Sequence, residues 1–208
     1  MWLVRGALIV FGLALALGGV GACAGSVPVG IREEMAATAR VQPGAVTVVF
    51  FTDFQCPFCR RTHAALAPLL AQRRGKVRLV LRHVPLRQHP DARTAARAVV
   101  CFESIVAART APRPPGVEVE ELALALMSAS DLSEAACEAL AEEHGVARDA
   151  LRRCLAEPAT DARIERDLEL FDAVQGDGVP LLFIGRSRLE GAQSSSSLEA
   201  ALDNAALR

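Results

Sequence analysis

The sequence predicts an α/β fold in which a helical segment interrupts a small sheet. In the first half, a run of β-branched and aromatic residues begins at Val46, and an alternating polar and apolar pattern over residues 76–84 follows an intervening helical segment. Strand, helix and strand joined by short connections predict two parallel strands with a right-handed crossover. Two short strand patterns, over residues 179–184 and 188–190, predict an antiparallel hairpin near the C-terminus.

The stretch between these two halves has helical spacing, and no strand pattern occurs from residue 87 to residue 175. Asp91 is a suitable N-cap for the first helix of this stretch. The proline-rich segment 110–116 (TAPRPPG) is its clearest internal boundary. We therefore expect a helical insertion over about residues 91–158, followed by one more helix that leads into the hairpin.

Composition and charge exclude several classes of partner. The chain has 208 residues, of which 51% are hydrophobic, and this is enough to bury the core of one domain. The formal net charge is −1, so charge favours neither nucleic acid nor an anionic membrane surface as a partner. The sequence contains no tyrosine and its one tryptophan is Trp2, so the aromatic part of the core must come from phenylalanine.

The N-terminal residues have the features of an export signal. Arg5 supplies the basic start, and residues 7–20 form an apolar stretch of the length that a signal peptide needs, which is short for a membrane span. The segment Val20–Cys23 (VGAC) resembles a bacterial lipobox, so we expect cleavage before Cys23 and lipidation of that cysteine. Ordinary cleavage at the Ala-Cys-Ala pattern around Cys23 and an uncleaved anchor are the alternatives.

These patterns divide the chain into three parts. Residues 1–22 are the predicted signal peptide, residues 23–43 are a tether with an ordered lead-in, and residues 44–208 are one domain. All three interpretations of the leader place the domain outside the cytoplasm, in the periplasm or the cell envelope. Disulfides persist in such compartments.

A Cys-x-x-Cys motif, Cys56-Pro57-Phe58-Cys59, follows the first predicted strand at the start of a helix. Pro57 suits the first helical position, where its missing N–H costs nothing. Cys56 then lies beside the unpaired N–H groups and the positive end of the helix dipole, which favour the nucleophilic thiolate. We expect Cys56 to be the attacking, more exposed sulfur of a redox pair and Cys59 to be the buried resolving sulfur.

Two alternatives compete with the redox interpretation. Cys59 and His63 are four residues apart and would share a helical face, so the motif could be part of a zinc site. No fourth ligand at zinc-like spacing is visible, and we expect no metal and a solvated His63. The second alternative is a purely structural disulfide between Cys56 and Cys59.

These motifs resemble the DsbA-like branch of the thioredoxin superfamily. The resemblance is carried by Phe51–Cys59 (FTDFQCPFC), His89–Ala92 (HPDA), Gly178–Pro180 (GVP) and Leu189–Gln193 (LEGAQ). It implies a thioredoxin fold with an inserted helical subdomain. It also implies that Pro180 is a cis proline lying against the two cysteines, with the backbone of Val179 available to pair with a substrate chain.

The resemblance also implies an activity, that of a protein thiol–disulfide oxidoreductase. Such a protein exchanges disulfides with substrate proteins through Cys56 and Cys59, with Pro57, Phe58, Val179 and Pro180 as supporting residues. It needs no cofactor, and a membrane redox partner would recycle it. We favour an oxidase. The alternatives are a reductase or isomerase that keeps selected exported thiols reduced, for example in cytochrome c maturation, and a non-catalytic, lipid-anchored protein that binds peptides.

Two positions depart from the family pattern. Phe50 stands where thioredoxins often have a buried carboxylate, which is thought to relay a proton to the resolving thiol. Asp53 lies nearer the turn, where a capping or solvated role is more typical of aspartate. Phe58 supplies no charge to the thiolate, unlike the histidine of the strongest oxidants. We therefore expect a less extreme redox potential than that of DsbA itself.

Three further cysteines, Cys101, Cys137 and Cys154, lie in the predicted insertion. In an exported protein one pair of them should be oxidised. Some members of the family have a second disulfide that joins the first inserted helix to the last, which maps onto Cys101 and Cys154. The longer loop also gives this pair a larger chain-entropy stabilisation. We expect this disulfide, with Cys137 buried and free; a Cys137–Cys154 pair and three reduced thiols are the alternatives.

Overall fold

A computed structural model of the chain describes residues 27–109 and 119–207. The predicted signal peptide, Cys23 and the proline-rich segment 110–116 lie outside the described residues. In chain order the elements are α1 (Val29–Val41), β1 (Val46–Thr52), α2 (Pro57–Gln72), β2 (Val77–His83), α3 (Ala92–Ala107), α4 (Val119–Ser128), α5 (Glu134–Glu143), α6 (Arg148–Leu155), α7 (Pro158–Ala173), β3 (Leu181–Ile184), β4 (Ser187–Glu190) and α8 (Ser195–Ala206). Over the same ranges, none of the helices combines the length and apolar character that crossing a bilayer requires.

The four strands form one sheet in the order β2-β1-β3-β4. β1 and β2 are parallel, with Val46 opposite Val77. β3 runs antiparallel to β1, with Phe51 opposite Leu181, and β4 continues the sheet as the second strand of a hairpin. The structure therefore has the parallel pair and the C-terminal hairpin that the strand patterns predict, and α3 to α6 occupy the stretch predicted as a helical insertion.

The core lies on both faces of β1 because this strand is central and its side chains alternate between the faces. Phe50 belongs to the larger apolar cluster, together with residues of α2, α3 and α8. Phe51 belongs to the second cluster and contacts Phe171 and Phe183, with ring centroids 5.5 and 6.3 Å away. Both phenylalanines are fully buried, and each such side chain contributes roughly 1.5–3 kcal/mol to folding. The C-terminal end of β1 is therefore packed against an apolar cluster on each face of the sheet.

Helix α1 forms most of the described part of residues 23–43, for which the sequence predicts a tether with an ordered lead-in. Ile31 of this helix is fully buried in the cluster that contains Val49 and Phe51. The segment has few large apolar residues, so its own sequence gives a weak helical signal. Packing against the sheet supplies most of the stability of such a helix.

A network of partly buried ion pairs joins α1, β2, α3 and α7. Arg82 of β2 contacts Glu34 of α1, and its Nε lies 3.6 Å from Asp167 Oδ1 of α7. Arg163 lies 3.2 Å from the same carboxylate and 3.5 Å from Glu103 of α3. The pairing of opposite charges offsets the cost of removing them from water, and removal of one partner would leave an uncompensated charge.

Two buried histidines and one glutamate of this region have shifted pKa values. Burial, with Arg163 and Arg82 nearby, lowers the pKa of His83 to about 3. Burial lowers the pKa of His63 to about 4. Between these values and about 6.5 the unfolded chain binds protons that the folded chain does not, so stability must fall as the pH is lowered. Burial raises the pKa of Glu103 to about 6, which has the opposite but smaller effect.

We expect the free energy of unfolding to decrease between about pH 7 and pH 4, with each histidine contributing on the order of 3 kcal/mol. His83→Phe should flatten this dependence, because the group that titrates only in the unfolded chain is then absent. Urea unfolding at a series of pH values measures the slope. His144→Gln is the control and should keep the wild-type slope. An unchanged slope in His83→Phe would contradict the interpretation.

Candidate active site

The Cys-x-x-Cys motif lies at the junction of β1 and α2. Cys56 occupies the N-cap position of α2 and Pro57 the first helical position. Cys56 is 3% exposed, Cys59 is fully buried, and both are free thiols. Cys56 precedes the first turn of the helix and Cys59 lies within that turn, and both belong to the larger apolar cluster. Both thiols are therefore buried, and Cys56 is more enclosed than was predicted.

The surroundings of Cys59 favour the protonated thiol. Burial raises the pKa of Cys59 well above its ordinary value, and the charge of Cys56 acts in the same direction. The backbone N–H of Asp53 and the hydroxyl of Thr52 oppose this shift only in part. Because the thiolate is the nucleophile, a thiol with a raised pKa reacts slowly with external disulfides. These properties fit a resolving sulfur better than an attacking one.

The loop before β3 faces the first cysteine. The peptide bond between Val179 and Pro180 is cis, and Cys56 Sγ lies 3.8 Å from the carbonyl oxygen of Val179. Pro180 is buried, and its carbonyl accepts a hydrogen bond from the N–H of Gly191 at 2.9 Å. The structure therefore brings together Cys56, Val179 and Pro180, which are far apart in sequence.

Phe58 forms an exposed aromatic surface between the two cysteines of the motif. Its side chain is 51% exposed, and the guanidinium of Arg61 lies 5.0 Å from the ring centroid. Arg60 instead donates from Nε to the carbonyl of Phe54 at 2.7 Å, which fixes the turn before the helix. An exposed aromatic ring next to a reactive sulfur offers apolar contact area to a polypeptide.

Asp53 has the capping role that was predicted but is not solvated. The residue is 1% exposed, and its Oδ1 accepts hydrogen bonds from the backbone N–H groups of Gln55 and Cys56 at 2.7 and 3.0 Å. Its Oδ2 accepts from Leu86 N at 2.8 Å and lies 2.8 Å from His89 Nδ1. Sequence reasoning missed His89 as a partner, although His89 begins the HPDA segment that carries part of the family resemblance.

The prediction that His63 is a solvated helix residue is wrong. His63 is 1% exposed and stacks on Phe50, with ring centroids 6.2 Å apart. Neither ring nitrogen has a hydrogen-bond partner in the described part of the chain. The ring lines a cavity of about 900 Å³ that extends along β2. Within residues 27–109 and 119–207, no three His, Cys, Asp or Glu side chains are arranged to hold a metal ion.

In the insertion, Cys101 of α3 and Cys154 of α6 form a disulfide with an S–S distance of 2.10 Å. The Thr160 hydroxyl lies 3.4 and 3.6 Å from the two sulfurs and donates to the carbonyl of Cys154 at 2.8 Å. Cys137 is buried and free, and its Sγ donates to the carbonyl of Leu132. Burial raises the pKa of Cys137 to about 12, which makes this thiol unreactive at neutral pH.

Comparison with known proteins relates this geometry to a family. A family model described as thioredoxin matches residues 43–204. Two curated relatives are the Na⁺/H⁺ antiporters NhaA 3 of Salinispora tropica and NhaA 1 of Salinispora arenicola, which are 32% and 31% identical over 161 residues. The match covers 77% of this chain and 23% of each antiporter, so the chain spans about a quarter of the length of these relatives.

Three solved structures have a similar fold. A thioredoxin-like oxidoreductase from Silicibacter pomeroyi is 28% identical, with a TM-score of 0.65 and coverage of 80% of this chain and 90% of that one. The thiol-disulfide exchange protein alpha-DsbA2 from Wolbachia pipientis is 17% identical, with a TM-score of 0.64 and coverage of 84% and 96%. A periplasmic thioredoxin-like protein from Salmonella enterica serovar Typhimurium is 21% identical, with a TM-score of 0.62 and coverage of 80% and 87%. Together with the family match, these structures confirm the predicted fold class.

The Cys101–Cys154 pairing has a measurable effect on stability. The two cysteines are 53 residues apart, and the chain-entropy model gives a stabilisation of about 4 kcal/mol for a loop of this size. We expect the double variant Cys101→Ser/Cys154→Ser to lose a free energy of unfolding of this order. Urea unfolding measures the loss, and Cys137→Ser is the single-thiol control. Peptide mapping without reduction should recover the Cys101–Cys154 linkage, and recovery of a Cys137–Cys154 linkage would contradict the assignment.

Proposed function

The chain belongs to the thioredoxin family whose model covers residues 43–204, and from this premise we propose that it is an exported protein thiol–disulfide oxidoreductase acting mainly as an oxidase. One observation carries the proposal: Cys56 lies at the start of α2, 3.8 Å from the Val179 carbonyl and one helical turn before the buried Cys59. An extended substrate peptide can pair with a backbone carbonyl at this position while its own sulfur exchanges with the sulfur of Cys56.

In the oxidising direction the reaction begins with a disulfide between Cys56 and Cys59. A substrate thiolate attacks Cys56 Sγ, which breaks the bond to Cys59 and forms a mixed disulfide. The sulfur of Cys59 leaves with the bonding electron pair and takes up a proton, as its raised pKa favours. A second substrate thiolate then attacks the substrate sulfur of the mixed disulfide and releases the thiolate of Cys56. The substrate has lost two electrons, and the two cysteines have gained them.

The reverse direction is the second candidate, and Phe58 is the observation that favours it. An oxidant of this type needs a stabilised reduced form, and the uncharged ring of Phe58 adds no charge to help the thiolate of Cys56. A reductase or isomerase would use Cys56 to attack a substrate disulfide and Cys59 to resolve the mixed disulfide. The equilibrium constant of the Cys56–Cys59 couple with glutathione distinguishes the two directions.

The proposal that the protein is exported is supported by the leader and by the Cys101–Cys154 disulfide. Residues 1–22 have the pattern of a signal peptide, with Cys23 placed for lipidation. The Cys101–Cys154 disulfide suits an oxidising compartment, and one of the similar structures is a periplasmic protein. We propose a location in the periplasm or cell envelope. There the protein would act on substrate proteins and be recycled by a membrane redox partner.

Trapping experiments test the roles of the two sulfurs. Cys59→Ser should accumulate mixed disulfides with substrate proteins, because Cys56 still attacks while the resolving thiol is absent. Cys56→Ser should accumulate none and should reduce insulin no faster than the uncatalysed reaction. Gel electrophoresis without reductant and insulin turbidity measure the two effects.

Cys137→Ser is the matched control and should keep wild-type turnover, because Cys137 is buried away from the motif in α5. Equal trapping by the Cys56 and Cys59 variants would show that the roles are assigned wrongly. A wild-type protein that folds and binds peptides but gives no insulin turnover would instead support the non-catalytic, peptide-binding interpretation.

Lipidation can be tested separately from catalysis. In a bacterial host we expect the wild-type chain to fractionate with membranes and Cys23→Ala to appear in the soluble periplasmic fraction, because the lipid is attached to this sulfur. Mass spectrometry of the N-terminal peptide identifies the modification. A soluble wild-type protein would indicate ordinary signal cleavage, and membrane retention of Cys23→Ala would indicate an uncleaved anchor.

A further inference from the structure

The carboxylate of Asp53 is the most heavily hydrogen-bonded side chain near the reactive cysteines. Its side chain is fully buried, whereas that of His89 is 20% exposed. Oδ1 accepts from the N–H groups of Gln55 and Cys56, and Oδ2 accepts from Leu86 N and lies 2.8 Å from His89 Nδ1. Three backbone N–H groups therefore point at this one carboxylate.

These contacts attach the loop after β2 to the active-site turn. A second pair of hydrogen bonds strengthens the attachment: Asp91 N donates to Gln55 Oε1 at 2.7 Å, and Gln55 Nε2 donates to Asp91 Oδ2 at 3.2 Å. His89 is held in the loop because its own N–H donates to the carbonyl of Leu86 at 3.0 Å. The imidazole is therefore fixed against the carboxylate, on the side away from the turn.

The same carboxylate faces the residue that carries the attacking sulfur. Oδ1 is 3.0 Å from the backbone nitrogen of Cys56, so the carboxylate contacts the same residue whose sulfur becomes an anion when Cys56 is a thiolate. Like charges in a site with little water repel each other strongly. A protonated imidazole against Oδ2 would reduce this repulsion. Other charged groups near the turn are Asp91, which contacts Gln55, Arg60, which donates to the carbonyl of Phe54, and Arg61, whose guanidinium lies over the ring of Phe58.

We propose that the Asp53–His89 pair sets the redox equilibrium of the Cys56–Cys59 couple. The carboxylate destabilises the reduced form, in which Cys56 carries a negative charge, and the imidazole offsets part of this effect. Asp53 and His89 are thus positioning residues that tune the couple without contacting substrate. The inference rests on the proposed function, because it assumes that the two cysteines exchange electrons with thiols.

The equilibrium with glutathione provides the measurement. Two glutathione molecules become one glutathione disulfide, and their two electrons reduce the Cys56–Cys59 disulfide. One proton stays on Cys59, and the other is released when Cys56 remains a thiolate. We expect Asp53→Asn to shift this equilibrium about tenfold toward the reduced protein, which corresponds to a potential about 30 mV more oxidising. His89→Gln keeps an N–H donor for the carboxylate but cannot carry a proton charge, so it should shift the equilibrium several-fold the other way.

The double variant separates an electrostatic role from two independent effects. If His89 acts through the carboxylate, Asp53→Asn/His89→Gln should have the equilibrium constant of Asp53→Asn alone. Asp91→Asn is the local comparison: it removes a carboxylate that contacts Gln55 and not Cys56, so it should shift the equilibrium less than Asp53→Asn does. Asp131→Asn is the remote control, because Asp131 accepts a backbone N–H from Ser133 in a turn of the insertion. The remote control should keep the wild-type equilibrium.

A structural role would have a different signature. Loss of a cap would lower the free energy of unfolding of the oxidised and reduced forms equally and leave the equilibrium with glutathione unchanged. The proposed role requires Asp53→Asn to change the difference between the two unfolding free energies by about 1.4 kcal/mol, the equivalent of a tenfold shift. An unchanged equilibrium, or shifts of the same sign in both single variants, would overturn the inference. Failure of the wild-type protein to equilibrate with glutathione would overturn the proposed function instead.

Discussion

The position of the reactive sulfur depends on the burial of β1 on both faces. Phe50 and Phe51 are consecutive, so the pleat directs them into opposite apolar clusters, and neither face of the strand is free to shift. The turn that carries Asp53 follows the last residue of this strand, and α2 begins at Pro57. With so short a connection, the location of Cys56 is determined by the strand and not by a flexible loop. The constraint comes from core packing, which has little tolerance for displacement.

The buried and partly buried charged side chains of this protein have two kinds of partner. Arg82, Arg163 and their acidic partners form a paired network that joins four elements. Asp53 instead accepts backbone N–H groups, which satisfy a carboxylate without placing an arginine next to the reactive sulfur. A guanidinium at that position would stabilise a thiolate permanently, whereas an imidazole has two charge states. With His89 as its side-chain partner, the Asp53 carboxylate has a neighbour whose charge can change, which an arginine would not provide.

The sequence was sufficient for the strands, the redox motif and the helical insertion because these features have local signals. Period-two alternation identifies β2, and a proline after the first cysteine identifies the start of α2. The burial of His63 could not be predicted in the same way, because whether a helix face is covered depends on elements distant in sequence. The contact between Asp53 and His89 joins residues 36 positions apart. Helix α1 gave a weak signal because its stability depends on packing against the sheet.

The asymmetry between the two cysteines follows from their separation of three residues along a helix that starts at the first of them. Cys56 occupies the N-cap position of α2, before the helical N–H groups, and its sulfur lies 3.8 Å from the Val179 carbonyl oxygen. Cys59 is nearly one turn further on and points into the apolar cluster, where burial raises its pKa. Phe50 adds to this apolar environment, since it occupies the position at which thioredoxins often have a carboxylate. The packing that fixes β1 therefore also favours the protonated form of Cys59, which is consistent with the resolving role proposed for this sulfur.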